Sequence, residues 1–451
     1  VGWLIRIGDC LFNITWSDLF DFKTENMEIP LAPNRSDLLD RQSGEVSLSA
    51  TQTISALHHP SITLESGIID IRSSDASLLD GLDSSILDGL RQPKGQKTLP
   101  SLLLWGEKGQ MLYDDLLVAE EYYPYRVENE LLRSRVDEIA ETIAASGADL
   151  LVELGAGNLS KTIHFLSALD KQLTSPLVYY ALDVDRSQIE RSLAAARRQT
   201  SQFRWIKLCG LLGTYEDGAR WLARPEMAPF RTTLVWLGSS IANYEQEQAS
   251  ELLASFTAAK HPTTTVDSDT PQNQNLAGVL LLVDGCQDAA RIELAYDVPS
   301  GKSRRWITHA VEAARRHLRV GGTEDDDECV DWLLADKHWA FEGQWHPERQ
   351  RYQNYLVPRR DLEGTIRGQP IRLAKGERVA VIGSGKWTRA TLSGVAAKSG
   401  LEVSESWHNS EFNYGEMFEF SILSCFWLPE WKRARIADAL LFRGLLASTK
   451  H

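Results

Sequence analysis

A chain of 451 residues has room for two domains and a large core. Its 43% hydrophobic and 24% charged content is that of a soluble globular protein, and a net charge of −14 without a clustered basic face argues against a nucleic-acid partner. Five scattered cysteines with no CxxC pair fit a reducing compartment, no histidine set of HExxH type suggests a metal, and no apolar run reaches the length of a membrane span. A cytoplasmic protein without metal, membrane or nucleic-acid partner is therefore expected.

The chain begins at Val1, and its first apolar patch, Cys10-Leu11-Phe12, lacks the layout of a signal peptide. Met27 is the first methionine, so residues 1–26 are expected to be an extension ahead of the true start. With the Ser/Pro/Asn-rich stretch that follows, residues 1–65 read as a disordered arm. Residues 68–72 then alternate like a strand, and 78–90 have helical spacing. Aromatic residues are dense over 99–115 and in Glu121-Tyr122-Tyr123-Pro124-Tyr125-Arg126. Such a stretch is either a packed loop over the sheet edge or a lid that carries aromatic side chains to a ligand. An amphipathic helix over 129–145, ending near Gly147, follows from Leu131, Leu132, Val136, Ile139 and Ile143.

Leu150-Leu151-Val152-Glu153-Leu154-Gly155-Ala156-Gly157-Asn158 organises the rest. It is a short buried strand running into a glycine turn, with helical spacing over 160–169. The third glycine of a dinucleotide fingerprint is missing. An acidic residue before two glycines suits S-adenosylmethionine (SAM), which has no phosphate to cradle and whose ammonium favours a nearby carboxylate such as Glu153. The other reading is a tight turn in an ordinary α/β domain. A second strand, 178–183, ends in Asp183, where a carboxylate meets the ribose of a bound nucleoside. Asp185 can cap the next helix, so the two acids can fill both roles. Together the glycine turn and Asp183 favour a nucleoside site.

A third strand is expected over 203–208, a helix over 215–222 and a fourth strand over 233–237. Ser239, Ser240 and Asn243 follow that strand, where ligands of such sheets bind, although turn and cap chemistry would use the same residues. A helix over 245–258, a surface insertion over 261–275 and a fifth strand over 279–284 complete a mainly parallel α/β sheet. Beyond residue 288 the character changes. A helix starts at Ala289, 321–328 read as an acidic loop, and 332–360 are aromatic and strand-like. Residues 379–387 lead into a helix, and 401–407 with 418–423 form an antiparallel pair. The expected division is an arm (1–65), a lid with part of the substrate domain (66–126), a Rossmann-like domain (127–288) and an α+β substrate domain (289–451).

Six blocks in order carry a family resemblance: Glu121-Tyr122-Tyr123-Pro124, Val152 to Gly157, Asp183-Val184-Asp185, Leu237 to Asn243, Ala295-Tyr296-Asp297 and Ser384-Gly385-Lys386-Trp387. The chain resembles the histidine-specific methyltransferase family, the SAM-dependent α-N-methyltransferases of ergothioneine and ergot-alkaloid biosynthesis. The stretch from Leu212 to Gly218 is similar to the fungal branch in particular, that of 4-dimethylallyltryptophan N-methyltransferase. The resemblance implies a class I methyltransferase sheet with a second, substrate-binding domain. It implies SAM at Glu153, Gly155, Gly157, Lys161 and Asp183, with Leu211 and Leu212 added. It places an amino-acid substrate on Tyr122, Asn243 and Tyr296, and its side chain near Ser384. Those three residues would carry catalysis by orienting the amine, and no general base is named.

Two departures bear on the substrate. Ile382 stands where histidine-methylating members have a glutamate, and Trp105 where they have a tyrosine. An isoleucine leaves an imidazole N–H unpaired, so an aromatic or apolar amino acid such as a tryptophan derivative is expected. Histidine methylation is the second reading, with Ile382 and the lack of a further domain after Phe420 against it. A catalytically silent SAM-binding protein is the third. The chain is expected to act as a monomer on a small molecule.

Overall fold

The computed structural model describes residues 67–73, 81–260, 276–320 and 322–409, together with the backbone of three further strands. Two of these, β1 (Trp3–Ile7) and β2 (Cys10–Ile14), form a separate antiparallel ribbon. The rest of the N-terminal arm and the insertion over 261–275 lie outside the described residues.

Short apolar runs build the main sheet because buried parallel strands have no polar face. β3 (Ile68–Asp70), β4 (Leu150–Leu154), β5 (Leu177–Asp183), β6 (Ile206–Leu212), β7 (Thr232–Trp236) and β8 (Leu276–Asp284) are parallel. A second, antiparallel sheet holds β9 (Trp339–His346), β10 (Arg351–Pro358) and β13 (Val379–Gly385) in the order β13-β10-β9. Between them in sequence, β11 (Leu362–Ile366) and β12 (Gln369–Leu373) form a small ribbon. Finally β14 (Leu401–Asn409) and β15 (Tyr414–Ile422) extend the main sheet, whose order is β14-β15-β8-β7-β4-β5-β6-β3.

Side chains alternate across β4. Leu151 packs in one core layer, whereas Leu150, Val152 and Leu154 pack in the other. The first layer includes the helices Tyr123–Ser146, Ser160–Gln172 and Arg186–Gln199, and it continues into the second sheet through Tyr352, Val379 and Ile382. The second layer includes the helices Tyr215–Leu222, Gln246–Lys260 and Arg389–Lys398. One core layer thus joins the two sheets, and the cavity opens between them.

Several expectations are corrected. The third strand begins at Ile206, three residues later than the apolar run, and ends at Leu212. Asp170 explains the shift: its carboxylate accepts from the backbone N–H of Arg204, Trp205 and Ile206 and holds 204–205 in a turn. The acidic loop is largely the helix Glu324–Leu333, started by a capping box between Thr323 and Asp326. Four of its six acids occupy the first turn, where the helix dipole favours negative charge. The helix expected from 129 starts at Tyr123, with Pro124 in its first turn, where no backbone donor is lost. The C-terminal antiparallel pair exists, but β15 pairs with β8 rather than with the second sheet. Likewise β3 joins the main sheet beside β6 instead of the lid.

Candidate active site

β4 delivers the glycine turn to the carboxyl edge of the main sheet. The N–H groups of Gly155 and Ala156 donate to the Leu182 carbonyl at 3.0 and 3.2 Å, which ties the turn to β5. Gly155 has φ +70°, and a Cβ there would lie 2.5 Å from the Tyr215 hydroxyl. Gly157 has φ +56° with open space beside it, and its N–H donates to Asp183 Oδ2 at 3.2 Å. Asp183 also accepts from the N–H of Val184 and Asp185. Burial pushes its pKa above the usual range against these bonds. Asp185 caps the helix Arg186–Gln199 through the N–H of Ser187 and Gln188. The two acids therefore divide the roles that the sequence left open.

Glu153 is buried under this turn. Its carboxylate accepts from Thr162 Oγ1 at 2.9 Å and from the Tyr179 hydroxyl at 2.5 Å. Burial pushes its pKa up to about 7. Lys161 pairs with the buried Glu128 at 2.7 Å, and Glu128 also accepts from Gly238 N–H at 2.7 Å. That carboxylate links the long helix, the glycine turn and the loop after β7.

The opposite wall is aromatic. Trp105, Tyr113 and Trp306 pack together with centroids 4.8 to 5.5 Å apart. The Tyr122 ring meets Tyr296 edge-on at 5.6 Å. The Tyr296 hydroxyl lies 2.9 Å from Ser384 Oγ. Ile382 and Asn354 are cross-strand partners on β13 and β10, and Asn354 Nδ2 donates to the Ile382 carbonyl at 3.1 Å. Arg351 reaches from β10 to the loop after β7. Its guanidinium donates to the carbonyls of Ala242, Asn243 and Tyr244 at 3.2, 2.6 and 3.0 Å.

These two walls enclose a cavity of about 400 Å³. Eleven of the expected residues line it: Trp105, Tyr122, Glu153, Gly155, Gly157, Lys161, Asp183, Asn243, Tyr296, Ile382 and Ser384. Leu211 and Leu212 do not. They lie within β6 with side chains in the two core layers, and the strand first meets the cavity at Gly213 and Thr214. Ser239 and Ser240 line the cavity, yet their oxygens already accept from Asp284 N–H and Trp236 Nε1. From the aromatic stretch, Trp105, Tyr113 and Tyr125 line the cavity. Sequence reasoning assigned no role to Glu128, Trp306, Arg351 or Asn354. A buried charge on an otherwise apolar helix face was the available signal for Glu128. Among the described residues no group of His, Cys, Asp or Glu is arranged to hold a metal, and no helix is long and apolar enough to cross a membrane.

The residues fit an adenosyl cofactor. The open edge at Gly157 and the acid ending β5 supply space and a hydroxyl acceptor, the carboxyl of Glu153 lines the same turn, and among the described lining residues no cluster of cations awaits a phosphate. Sheet order and site together define the class, a Rossmann-like SAM-dependent methyltransferase. The sequence model of the family described as histidine-specific methyltransferase, SAM-dependent, matches residues 82–419. The chain is 35% identical to the N-methyltransferase imqF of Aspergillus flavus, over 77% of this chain and 87% of that protein. It is 31% identical to Ergothioneine biosynthesis protein 1 of Neurospora crassa, over 84% of this chain and 39% of that protein. It is 28% identical to the 4-dimethylallyltryptophan N-methyltransferase easF of Claviceps fusiformis, over 76% and 92%. The chain belongs to this methyltransferase family. It is a SAM-dependent N-methyltransferase with a small-molecule substrate and fungal relatives.

Proposed function

We propose that this enzyme methylates the α-amino group of a free amino acid with an aromatic or otherwise apolar side chain, tryptophan-like rather than histidine. The observation that carries this reading is Ile382, buried at the cavity wall among Asn354, Ser384 and the aromatic residues. An imidazole N–H facing it would lose its water without gaining an acceptor, whereas an indole or phenyl face loses nothing.

In this reading the backbone at Gly155 and Gly157 receives SAM, Asp183 accepts from its ribose hydroxyls, and Glu153 and Lys161 line its amino-acid end. When bound, the cofactor supplies an activated methyl group on a sulfonium. Tyr122, Asn243 and Tyr296 orient the substrate's amino and carboxylate groups, and Arg351 holds the Asn243 loop in place. The amine must be neutral to react. Burial raises the Tyr122 and Tyr296 phenols above their ordinary pKa, so both stay protonated near neutral pH. They orient the amine rather than deprotonate it, and the rate gain comes from alignment.

Asn354 favours histidine as the second reading. Its Nδ2 is taken by the Ile382 carbonyl, and its Oδ1 makes no hydrogen bond within the described residues, which leaves an acceptor for an imidazole N–H. Calorimetric titration with L-tryptophan, its prenylated derivative and L-histidine, each with S-adenosylhomocysteine present, separates the two. Indole binding without histidine binding supports the proposal. Tight histidine binding overturns it.

A further inference from the structure

Behind the substrate wall lies an ion pair with no part in the reading above. Lys386 and Asp284 are both fully buried and meet at 2.9 Å. Neither lines the cavity. Asp284 is itself anchored: its carboxylate accepts from the Tyr123 hydroxyl at 2.7 Å and from Cys286 N–H at 2.9 Å. The ammonium of Lys386 has three N–H donors. They meet three acceptors: Asp284 Oδ2, the Tyr296 hydroxyl at 2.7 Å and Ser384 Oγ at 3.0 Å. The last two oxygens belong to the cavity wall and lie 2.9 Å from each other.

The arithmetic of donors fixes the direction of these bonds. Each hydroxyl oxygen accepts from Lys386, so neither proton can point back at the ammonium. One proton satisfies the contact between Tyr296 and Ser384. The other has no acceptor in the pair and is left for the cavity side, where the Tyr122 side chain also hydrogen-bonds with Tyr296 and a substrate group would compete for it. A cation behind a hydroxyl also strengthens it as a donor in a low-dielectric setting.

We propose that Lys386 is a positioning residue that makes this wall a donor site for the carboxylate of the substrate, so that Ser384 serves the carboxylate here rather than the side chain that the family resemblance implied. Asp284 holds the ammonium in place, Tyr123 and Cys286 hold Asp284, and Lys386 orients the hydroxyls of Tyr296 and Ser384. The inference rests on the amino-acid reading given above. It adds the reason why the acid, and not its neutral derivative, is bound.

The test compares an acid with its amide. Affinities are measured with S-adenosylhomocysteine present for L-tryptophan, L-tyrosine, L-phenylalanine and L-histidine, and for the carboxamide of whichever binds best. Lys386→Met alone strands the buried Asp284 carboxylate and can prevent folding, so Lys386→Met/Asp284→Asn is measured beside it. The unaltered enzyme is expected to prefer the acid, and that preference is expected to fall about 10- to 100-fold in the folded variant, the size of one lost hydrogen bond to a charged group. A structural role would weaken acid and amide alike and leave their ratio unchanged, which would overturn the inference. An unaltered enzyme that binds acid and amide equally would overturn it too, while the amino-acid reading stands. If none of the four amino acids binds, the proposed function falls and the inference with it.

Discussion

The two walls of the cavity are built by different means. The wall proposed to hold the cofactor is largely backbone and local sequence. Two glycines at positive φ, the ends of neighbouring strands and one short-range cap shape it. The wall proposed for the substrate is made of side chains from distant segments. The segment with Trp105 and Tyr113, the helix Lys302–Arg319, and two strands of the second sheet all contribute to it. The first kind of wall tolerates change wherever the backbone path is kept. The second depends on each cross-segment contact, and its specificity can change at one position without disturbing the fold.

Arg351 is the sharpest test, because it joins the walls. Replacing it with Met leaves three carbonyls without their buried donor, while Glu245 loses its contact at 3.2 Å and keeps Arg349 at 2.5 Å. A loss of about 3–5 kcal/mol in unfolding free energy is expected from urea melts, the size of several buried acceptors left unmet, with substrate binding falling further than cofactor binding. Equal loss of both affinities would erase the distinction between the walls.

Glu153 tests the cofactor side by pH. Its pKa is raised from 4.5 to about 7 in the folded chain. Between those values the native state keeps a proton that the unfolded chain releases. Its contribution to stability is therefore full below about pH 4.5 and lost as pH rises through about 7, by about 3 kcal/mol in all. Thermal melts of the cofactor-free protein and of Glu153→Gln, compared across this range, should show the wild type losing ground as pH rises. A constant difference would show that the carboxyl ionises normally.

Asp183→Ala should weaken binding of S-adenosylhomocysteine by about 2–3 kcal/mol in calorimetry, with substrate selectivity preserved. The smallest effect is expected at Ile382. Ile382→Glu should shift the preference from L-tryptophan toward L-histidine by about 2 kcal/mol, as a ratio of dissociation constants. No shift would mean that the side chain of the substrate lies elsewhere in the cavity.

The main sheet was legible because its signals are local. β4 was placed residue for residue, and β5, β7 and the helix Tyr215–Leu222 within one residue. Their apolar runs are bounded by glycine turns and acids. β6 was misplaced because Asp170, more than thirty residues upstream, fixes where pairing begins. The acidic helix was hidden by composition, since five consecutive acids look like solvated loop until Thr323 is recognised as a cap. The edge hairpin was seen as a pair but given the wrong neighbour. Periodicity shows that a strand is half-buried and does not say which sheet buries it.

The amino-acid sequence alone determined the class of the sheet, the glycine turn and eleven of the residues that line the cavity. Each of these follows from backbone chemistry over a few neighbouring residues or from the order of recognisable blocks. Only the tertiary structure decided that Lys386 stands behind Tyr296 and Ser384, that Arg351 grips the Asn243 loop, and that Leu211 and Leu212 belong to the core. Lys386 and Tyr296 are 90 residues apart, and Arg351 and Asn243 are 108 apart. Contacts at such separations depend on how one sheet packs on another, and burial then makes each polar group find a partner wherever the packing has placed one.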